Sequence, residues 1–433
     1  MMSALYRISR AFGPPTVDKN KSNALKFGIL GAAQIAPMTL ITPAKSHPEV
    51  IVQAVAARDR SRAEEFAKKH GVPEVKDSYQ GELHPLYVLC VRLRQLIRFI
   101  ELEDILDDPN IDAVLIPLAN SLHLEWSIRA IRAGKHVLLE KPSVNTAAEA
   151  EVLFNMPELS QPNAPIILEA FHNRFHPAIQ LFLSFISPRD VEHVYTDCMV
   201  PSWMVDKNNI GYNYELGGGS MMHMGTYTFA MLRMVFDDEP EECLTCQVST
   251  LGDGVHDKCD ADSRATFRFP NGGMAEANST FKGPILWKPS EARVTHREIL
   301  IEDKSLPATQ EQVRVRKVTM HGYLNAFIWH RIDVEDSYVI RKKENPQHIM
   351  RKWVESKSHK AYSYKEAGGK WANLPGEDWW MSYRWQLEEF VNRIKGRKAA
   401  FWISGQDSIK QMKMLDMAYE KSGLGLRKTG SFR

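Results

Sequence analysis

The chain has 433 residues, of which 44% are hydrophobic and 25% are charged, and its formal net charge is +2 at pH 7. A chain of this length is too long to form one ordinary hydrophobic core, so we predict a globular protein of two or three domains. The near-neutral charge gives no electrostatic basis for binding nucleic acid or a membrane surface, and the apolar runs are far too short to span a bilayer.

Residues 1–24 precede the first predicted strand and contain Arg7 and Arg10 without a long apolar run. They therefore lack the pattern of a secretory signal. Arginines without nearby acids leave a mitochondrial leader open, but we expect a disordered leader.

Five cysteines are scattered along the chain, and this odd number favours a reducing compartment over a disulfide framework. We therefore expect the protein in the cytoplasm. Cys243 and Cys246 form one CxxC pair, but neither a second pair nor a histidine pair follows at zinc spacing. No metal site is predicted.

The first predicted strand ends in a glycine–alanine turn that opens a helix, as in a dinucleotide-binding unit. Gly31 permits the tight turn, Ala33 lets the backbone approach a pyrophosphate, and Ala36 lets the helix pack on the strand. The helix start, at Gln34 and Ile35, offers free N–H groups to the phosphates. The spacing is a relaxed form of the dinucleotide fingerprint.

The end of the second predicted strand, residues 50–56, indicates which dinucleotide binds. A carboxylate there would hydrogen-bond the ribose 2′-hydroxyl of NAD. This chain has Ala57 followed by Arg58, and a guanidinium pairs bidentately with a 2′-phosphate. The sequence therefore favours NADP over NAD, with a solvated arginine at the start of a loop as the alternative.

The next connection is longer than the fold requires. Residues 81–100 are apolar and basic, where a short connection is expected. One interpretation is an amphipathic surface helix or a contact element. Our preferred hypothesis is an insertion foreign to the fold, such as a translated intron. The Rossmann pattern resumes at residues 102–109.

Two later strand ends carry polar side chains. Asn120 and His123 follow a strand predicted over 113–116, and they either contact ribose or nicotinamide or cap the next helix. The two alternatives remain open from the sequence.

The apolar run 137–139 is typical of a strand that is buried on both faces of a parallel sheet. It ends in Glu140-Lys141-Pro142, which delivers one lysine to the carboxyl edge of the sheet, where open α/β folds bind ligands. A cis bond before Pro142 would aim this lysine sharply.

The second half of the chain has many strand signals with few helices between them. Strands are predicted over 191–199, 245–251, 263–269, 274–281, 298–301, 313–320 and 337–340, and helices over 382–395 and 407–422. This pattern predicts a large open sheet, mostly antiparallel or mixed, with one face free for packing or for a subunit partner.

The predicted fold class is therefore α/β, with a doubly wound parallel Rossmann sheet followed by an α+β domain. The domains predicted from the pattern are a dinucleotide-binding domain over 25–164 and a substrate and oligomerisation domain over 165–433. Within the second domain, the glycines 217–219 precede a helix predicted from Ser220 to Val235. His223 and Tyr227 lie four residues apart and therefore on one face of this helix.

The motifs described above, with one more in the second domain, resemble the Gfo/Idh/MocA family of nicotinamide-dependent oxidoreductases. The resemblance covers residues 26–230, apart from 81–100, and the remainder only loosely. The motifs that carry it are Phe27-Gly-Ile-Leu-Gly31, Ala56-Ala-Arg-Asp59, Pro117-x-x-Asn120-x-x-His123, Ala133-Gly-Lys-His-Val-Leu-Leu-Glu-Lys-Pro142, Leu168-Glu-Ala-Phe-His-Asn-Arg-Phe-His-Pro177 and Gly217-Gly-Gly-Ser-Met-Met-His-Met-Gly-Thr-Tyr227.

The resemblance implies an acid/base role for Tyr227 beside Lys141, with Glu140 and Lys141 next to the cofactor. Lys141 would lower the pKa of Tyr227 and hydrogen-bond the substrate oxygen. His223 stands where the family usually has aspartate, and it would hold a substrate hydroxyl or relay a proton near neutral pH.

Arg174 and His176 are weaker candidates for substrate contact, since both could equally fix the interdomain hinge. Among family members, the motifs are most similar to those of fungal NADP-dependent D-xylose 1-dehydrogenases, dihydrodiol dehydrogenases and glucose-fructose oxidoreductase. The implied reaction is hydride transfer between NADP and a cyclic sugar or polyol, with oxidation of an aldose to its lactone as the main hypothesis.

Two rival hypotheses remain from the sequence. One is a trans-dihydrodiol dehydrogenase or another sugar dehydrogenase, and the other is a non-catalytic NADP-binding regulator. The expected partners are a small sugar or diol and a second copy of the chain bound through the open sheet.

Overall fold

The computed structural model describes residues 2–20, 22–76, 105–286 and 288–430. Two β-sheets organise these residues, one in each half of the chain. The predicted insertion over 81–100 lies outside the described residues.

The first sheet has six parallel strands in the order β3-β2-β1-β4-β5-β6. The order reverses between β1 and β4, and doubly wound sheets bind dinucleotides at such a switch point. The predicted Rossmann fold is therefore confirmed. The strands are β1 (Leu25–Leu30), β2 (Val50–Ala56), β3 (Glu74–Lys76), β4 (Ala113–Ile116), β5 (His136–Leu139) and β6 (Ile167–Glu169).

The predicted domain boundary at residue 164 falls too early. Strand β6 pairs in parallel with β5, so the first sheet continues to Glu169. The motif over 168–177 therefore begins in the last strand of the Rossmann sheet and leads directly into the second domain.

The helices of the first half begin and end where local chemistry permits. Asp59 accepts hydrogen bonds from the N–H groups of Ser61 and Arg62 at the start of α3, and Gly71 ends that helix with φ = +72°. The helices are α1 (Met2–Phe12), α2 (Thr42–Lys45, after a π-helical turn at Pro37–Ile41), α3 (Arg60–His70), α4 (Asn120–Arg132) and α5 (Ala147–Phe154).

The second sheet has nine strands, eight of them in the order β15-β14-β13-β11-β7-β10-β9-β8, with β12 paired to β13. Strands β7 and β10 are parallel neighbours and the other pairs are antiparallel, which confirms the predicted mixed sheet. The strands are β7 (Val191–Pro201), β8 (Glu242–Ser249), β9 (Asp262–Arg268), β10 (Met274–Gly283), β11 (Glu291–His296), β12 (Ile299–Ile301), β13 (Gln310–His321), β14 (Arg331–Lys342) and β15 (Asn345–His359).

The sequence missed two of these strands. Strand β11 has only two apolar residues, Ala292 and Val294, so its alternation is weak. Strand β15 is exposed along almost its whole length, and it lies at the edge of the sheet. A strand without a buried face carries no period-two signal.

Two helices of the second half pack against this sheet, and the last of them contacts β8. The helix that contains Tyr227 lies across β7 and β10 and also packs against α10. The helices are α6 (Pro177–Ser184), α7 (Thr226–Phe236, after a π-helical turn at Met221–Gly225), α8 (Tyr364–Ala367), α9 (Ser382–Ile394) and α10 (Gly405–Ser422). None of the helices in the described ranges is long and apolar enough to cross a bilayer.

The predicted disordered leader is wrong over residues 2–12, because these residues form helix α1. The Arg7 guanidinium is buried, donates to the carbonyl oxygens of Phe327 and of Ile328 (3.1 Å for the latter), and lies 3.4 Å from the ring centre of Tyr362. Ala11, one turn later, is 2% exposed. Sequence reasoning treats an arginine as solvated and cannot see these carbonyl partners.

We expect the Arg7→Met substitution to lower the free energy of unfolding by about 2 kcal/mol, because two buried carbonyl oxygens and one aromatic ring lose their cationic partner. Urea unfolding followed by circular dichroism measures this change. Arg10→Met is the matched control, since the contact that Arg10 makes among the described residues is with the exposed ring of Tyr6. Equal stability of the two variants would contradict the docking of α1.

Candidate functional site

A cavity of about 500 Å³ lies at the switch point between β1 and β4. Gly31, at the end of β1, has φ = +110°, and a Cβ atom there would lie 2.8 Å from Leu118 Cδ2. Small residues thus keep this cavity open where a side chain would fill it. Its lining is Gly31, Ala32, Ala33, Ala57, Arg58, Asp59, Arg62, Pro117, Leu118, Ala119, Leu122 and Leu216.

The turn after β1 can accept a pyrophosphate. The backbone N–H groups of Gln34 and Ile35 donate no hydrogen bond within the described residues, while Ala36 N already donates to Ala33 O at 3.1 Å. Free backbone N–H groups at the start of a helix are good donors to phosphate oxygens. The residues present therefore fit a dinucleotide.

The structure brings the predicted residues Gly31, Ala33 and Arg58 to this one cavity and adds Arg62, which the sequence reasoning missed. The four-residue spacing between the two arginines, one helical turn, was the available signal. Asp59 also lines the cavity, but its carboxylate is committed to capping α3 and accepts from the N–H and hydroxyl groups of Ser61.

Lys141 and Tyr227 come together from the two domains. Lys141 Nζ lies 4.5 Å from the centre of the Tyr227 ring and donates a 2.8 Å hydrogen bond to the backbone carbonyl oxygen of His223. The bond between Lys141 and Pro142 is cis. Strand β5 therefore presents its lysine directly to the helix that carries the tyrosine.

Burial sets the pKa values of this pair. Loss of solvent lowers the pKa of Lys141, and the carboxylate of Glu140 opposes that effect. Burial likewise raises the pKa of Tyr227 well above its usual value. The net pKa shift of Tyr227 is therefore upward, opposite in direction to the lowering expected from Lys141, because desolvation is its largest cause.

His223 also departs from expectation. Burial lowers its pKa to about 3, and the positive charge of Lys141 acts in the same direction. Its imidazole is therefore neutral at physiological pH, and the predicted gain of a proton near neutrality is wrong. The ring lies 5.9 Å from that of Phe281, and its backbone carbonyl oxygen is the acceptor for Lys141.

Three predicted cofactor residues have partners inside the protein. His123 is fully buried between the carbonyl oxygens of Pro142 and Leu118, at 2.9 and 3.0 Å. Asn120 Nδ2 donates to the carbonyl oxygen of Gly217 at 2.9 Å. For these two residues the structure thus shows internal contacts that hold the Glu-Lys-Pro turn and the glycine loop.

Glu140 is buried as well, and one of its carboxylate oxygens accepts a 2.9 Å hydrogen bond from the hydroxyl of Thr39. Thr39 belongs to the π-helical turn that follows the dinucleotide turn. Burial raises the pKa of this carboxyl group, although Lys141 opposes the shift. Glu140 therefore links the Glu-Lys-Pro turn to the π-helical turn that follows the dinucleotide turn.

The two weaker substrate candidates have structural partners. Arg174 forms an ion pair with Asp407 and lines a separate cavity of about 440 Å³ with Arg233. His176 is fully buried, and its Nδ1 accepts a hydrogen bond from Ala178 N at the start of α6. Within the described part of the chain, neither side chain forms a hydrogen bond or ring contact with Lys141, Tyr227 or His223.

The sequence reasoning missed two aromatic rings beside Tyr227, those of His172 and Tyr383. The His172 ring lies 5.7 Å from the Tyr227 ring and stacks at 3.9 Å on Tyr383, and its Nδ1 lies 2.7 Å from Ser382 Oγ. Burial lowers the pKa of His172 to about 3. His172 stands in one of the family motifs, which was a usable signal, whereas Tyr383 lies far along the chain and gave none.

Comparison with protein families gives two matches. A model described as "Oxidoreductase family, NAD-binding Rossmann fold" of the Gfo/Idh/MocA group matches residues 25–160. The model of the Gfo/Idh/MocA C-terminal domain matches residues 188–288. Lys141 and the cavity lining other than Leu216 fall in the first segment, and Leu216, His223 and Tyr227 fall in the second.

Several curated proteins are similar in sequence. An oxidoreductase of Rhizobium meliloti is 33% identical over 58% of this chain and 66% of its own length. A D-xylose 1-dehydrogenase (NADP⁺) of Haloferax volcanii is 29% identical over 60% of this chain and 70% of its own length. A trans-1,2-dihydrobenzene-1,2-diol dehydrogenase of Xenopus tropicalis is 26% identical over 52% and 60%. The match thus leaves roughly a third of each relative uncovered.

Solved structures share the fold at low sequence identity. An aldose-aldose oxidoreductase from Caulobacter crescentus, complexed with glycerol, has a TM-score of 0.63 and 18% identity, covering 92% of this chain and 97% of its own. A 3-ketoreductase from Actinomadura kijaniata, complexed with NADP and TDP-benzene, has a TM-score of 0.61 and 19% identity, covering 92% and 98%.

Glu169, at the end of β6, is a buried carboxyl group whose pKa can be tested through the pH dependence of stability. Its carboxylate accepts from Ser143 N at 2.8 Å, and burial raises its pKa from 4.5 to about 7. The folded protein then holds a proton that the unfolded chain releases, so stability falls as pH rises from 4.5 to 7 and is constant above. Glu169→Gln removes this dependence.

Between pH 5 and pH 8, we expect the wild type to lose on the order of 2 kcal/mol more unfolding free energy than Glu169→Gln. Urea unfolding at several pH values measures the difference. Glu389, whose pKa burial also raises to about 7, is present in both proteins and cancels in the comparison. Parallel pH dependences would show that Glu169 is ionised in the folded state.

Proposed function

The chain belongs to the Gfo/Idh/MocA family of oxidoreductases, and on that premise we propose that it is an NADP-dependent enzyme acting on a cyclic sugar or polyol. The reaction interconverts a CH–OH group and a carbonyl group by hydride transfer. The observation that carries the proposal is the meeting of Lys141 and Tyr227, one from each domain, at the carboxyl edge of a parallel sheet that also holds a nucleotide-sized cavity.

The proposed choice of NADP rests on the two arginines of the nucleotide cavity. Arg58 and Arg62 line it together, and the only carboxylate between them in sequence, Asp59, is engaged by the start of α3. Two guanidinium groups suit a 2′-phosphate. NAD specificity requires a carboxylate that accepts from the ribose 2′-hydroxyl, whereas the Asp59 carboxylate accepts from the first N–H groups of α3. A relative from Haloferax volcanii is itself named for NADP.

The nicotinamide, when bound, supplies the hydride chemistry. The protein's own contribution is to hold the substrate oxygen and to move its proton. Lys141 carries three N–H donors and spends one on His223 O, so its remaining N–H groups are free to donate to the substrate oxygen. Tyr227, beside it, exchanges the proton with that oxygen.

The raised pKa of Tyr227 keeps its phenol protonated at neutral pH. A protonated phenol is ready to give its proton to the oxygen of a carbonyl substrate while the carbon is reduced. Oxidation needs the phenol ionised, so its rate should rise with pH. His223 is neutral at these pH values and serves as a hydrogen-bonding group for a neighbouring hydroxyl.

For the substrate class we retain an aldose such as D-xylose, oxidised to its lactone, with a trans-dihydrodiol as the alternative. Relatives named for both substrates support this pair of candidates. The described cysteines, Cys198, Cys243, Cys246 and Cys259, are free thiols, which supports the proposed cytoplasmic location. We also retain assembly with a second copy through the open sheet, whose edge strand β15 is exposed.

The first experiment is absorbance of reduced nicotinamide with NADP, then NAD, against sugars led by D-xylose and against trans-dihydrodiols. Reduction of NADP with an aldose supports the main proposal, and turnover of diols alone supports the alternative. Tight NADP binding without turnover in either direction would favour a non-catalytic regulator.

We expect Tyr227→Phe to lower kcat by about 10²- to 10⁴-fold, because the proton donor is lost. The Kd for NADPH, measured by fluorescence titration, should change little. Tyr383→Phe is the control, since it makes the same change in a neighbouring buried tyrosine. Equal losses in the two variants would remove Tyr227 from the chemistry.

We expect Arg58→Ala and Arg62→Ala each to weaken NADP binding by about 10- to 100-fold, because one charge-assisted contact to phosphate is worth roughly 1.5–3 kcal/mol. NAD binding should be nearly unchanged in both. Arg60→Ala is the control, because Arg60 pairs with Glu64 at 2.9 Å along α3 and does not line the cavity. Equal weakening of NADP and NAD would contradict the assignment.

A further inference from the structure

A buried carboxylate fixes the start of the helix that carries the catalytic tyrosine. Asp260 lies between β8 and β9 and is fully buried. One of its oxygens accepts from Met221 N at 2.6 Å and from Ser220 Oγ at 2.7 Å, and the other accepts from the Tyr419 hydroxyl at 2.9 Å. It thus caps the π-helical turn that contains His223 and leads into Tyr227.

The glycine loop before this turn lies directly against that carboxylate. Gly219 has φ = +132°, and a Cβ atom there would lie 2.4 Å from Asp260 Oδ1 and 2.5 Å from the Tyr419 hydroxyl oxygen. No other residue type fits this approach without moving the loop. The position of residues 217–219 therefore depends on the pair formed by Asp260 and Tyr419.

Arg427 holds the same loop. This arginine is 2% exposed, and its guanidinium lies 4.1 Å from the ring centre of Tyr419 and 4.8 Å from that of Tyr214. It donates to the carbonyl oxygens of Gly218, at 3.2 Å, and of Lys258, at 3.0 Å. One guanidinium thereby joins the glycine loop, the loop before β9 and helix α10.

The segment around Arg427 is also bonded to the first domain. Asn145 Nδ2 donates to the carbonyl oxygen of Lys428 at 2.8 Å, and Gly430 N donates to a carboxylate oxygen of Glu149 at 2.6 Å. Asn145 lies four residues after Lys141 in the chain. Residues 427–430 therefore contact both the segment that carries Lys141 and the loop that precedes Tyr227.

We propose that Arg427 is a positioning residue that fixes the spacing between Lys141 and Tyr227 through the glycine loop. It touches neither reacting group and acts through Gly218 and Tyr419. The proposal rests on the proposed function, because it assigns Arg427 to the geometry of that catalytic pair. A misplacement of about 1 Å in such a pair can cost roughly 10²-fold in rate.

The test compares Arg427→Ala with the wild type in the full chain. We expect kcat for the substrate found above to fall by about 10- to 100-fold, while the Kd for NADPH should change far less, because among the residues that line the nucleotide cavity Leu216 alone adjoins the glycine loop. Added guanidinium chloride, at concentrations that do not unfold the protein, should restore part of kcat. Arg427→Lys should be intermediate.

Lys428→Ala is the matched control, because it removes the exposed ion pair with Glu215 from the same segment and leaves the backbone contacts. We expect no change in kcat. A second variant, Tyr419→Phe, removes only the hydroxyl that Asp260 accepts from, and we expect a smaller loss than in Arg427→Ala. An unchanged kcat in Arg427→Ala, or a loss that guanidinium does not restore, would overturn the proposal.

Amide hydrogen exchange tests the positioning role of Arg427 without an activity measurement. In Arg427→Ala, the amides of residues 217–227 should exchange about tenfold faster or more than in the wild type, while the amides of β1 exchange at the wild-type rate. In the Lys428→Ala control, the amides of both segments should exchange at the wild-type rate. This result would stand even if no substrate were found, so the failure of the proposed function is distinguishable from that of the positioning role. Unchanged exchange over 217–227 would overturn it.

Discussion

The hydrogen bond from Lys141 Nζ to the carbonyl oxygen of His223 is the contact on which the site depends. It joins the end of a parallel strand in the first domain to the first turn of a helix in the second. The lysine is held by a backbone oxygen, so the contact fixes the helix itself rather than one flexible side chain. The same ammonium lies 4.5 Å from the ring centre of Tyr227, so the two proposed catalytic side chains are in direct contact.

Burial then determines which protonation states this arrangement contains. It lowers the pKa values of Lys141, His172 and His223 and raises those of Glu140 and Tyr227. All these shifts favour the neutral form of each group, as expected where water is excluded. The upward shift of the Tyr227 pKa keeps its phenol protonated at neutral pH. Tyr227 is therefore available as a proton donor, and Lys141 contributes oriented N–H donors.

Two peripheral segments hold the site from different sides. Helix α1 packs Ala11 with Phe327 and Tyr383, and the Tyr383 ring stacks on His172, which in turn meets Tyr227. Residues 427–430 contact the glycine loop and the segment after Pro142. Both attachments use an arginine that is buried among carbonyl oxygens and tyrosine rings. The guanidinium suits this task because its donors are fixed in a plane and its faces stack on aromatic rings.

The sequence by itself determined the elements whose chemistry is local. The turn at Gly31, the strand that ends in Glu140-Lys141-Pro142 and the helix that begins after residues 217–219 all follow from neighbouring residues, as does the Rossmann order of strands and helices. Family resemblance added the pairing of Lys141 with Tyr227. Only the tertiary structure decided the buried roles of Arg7 and Arg427, the internal contacts of His123 and Asn120, and the direction of the Tyr227 pKa shift. The physical reason is that burial and hydrogen-bond partners come from segments far apart in the chain, and a pKa depends on the solvent and charges that those segments exclude or supply.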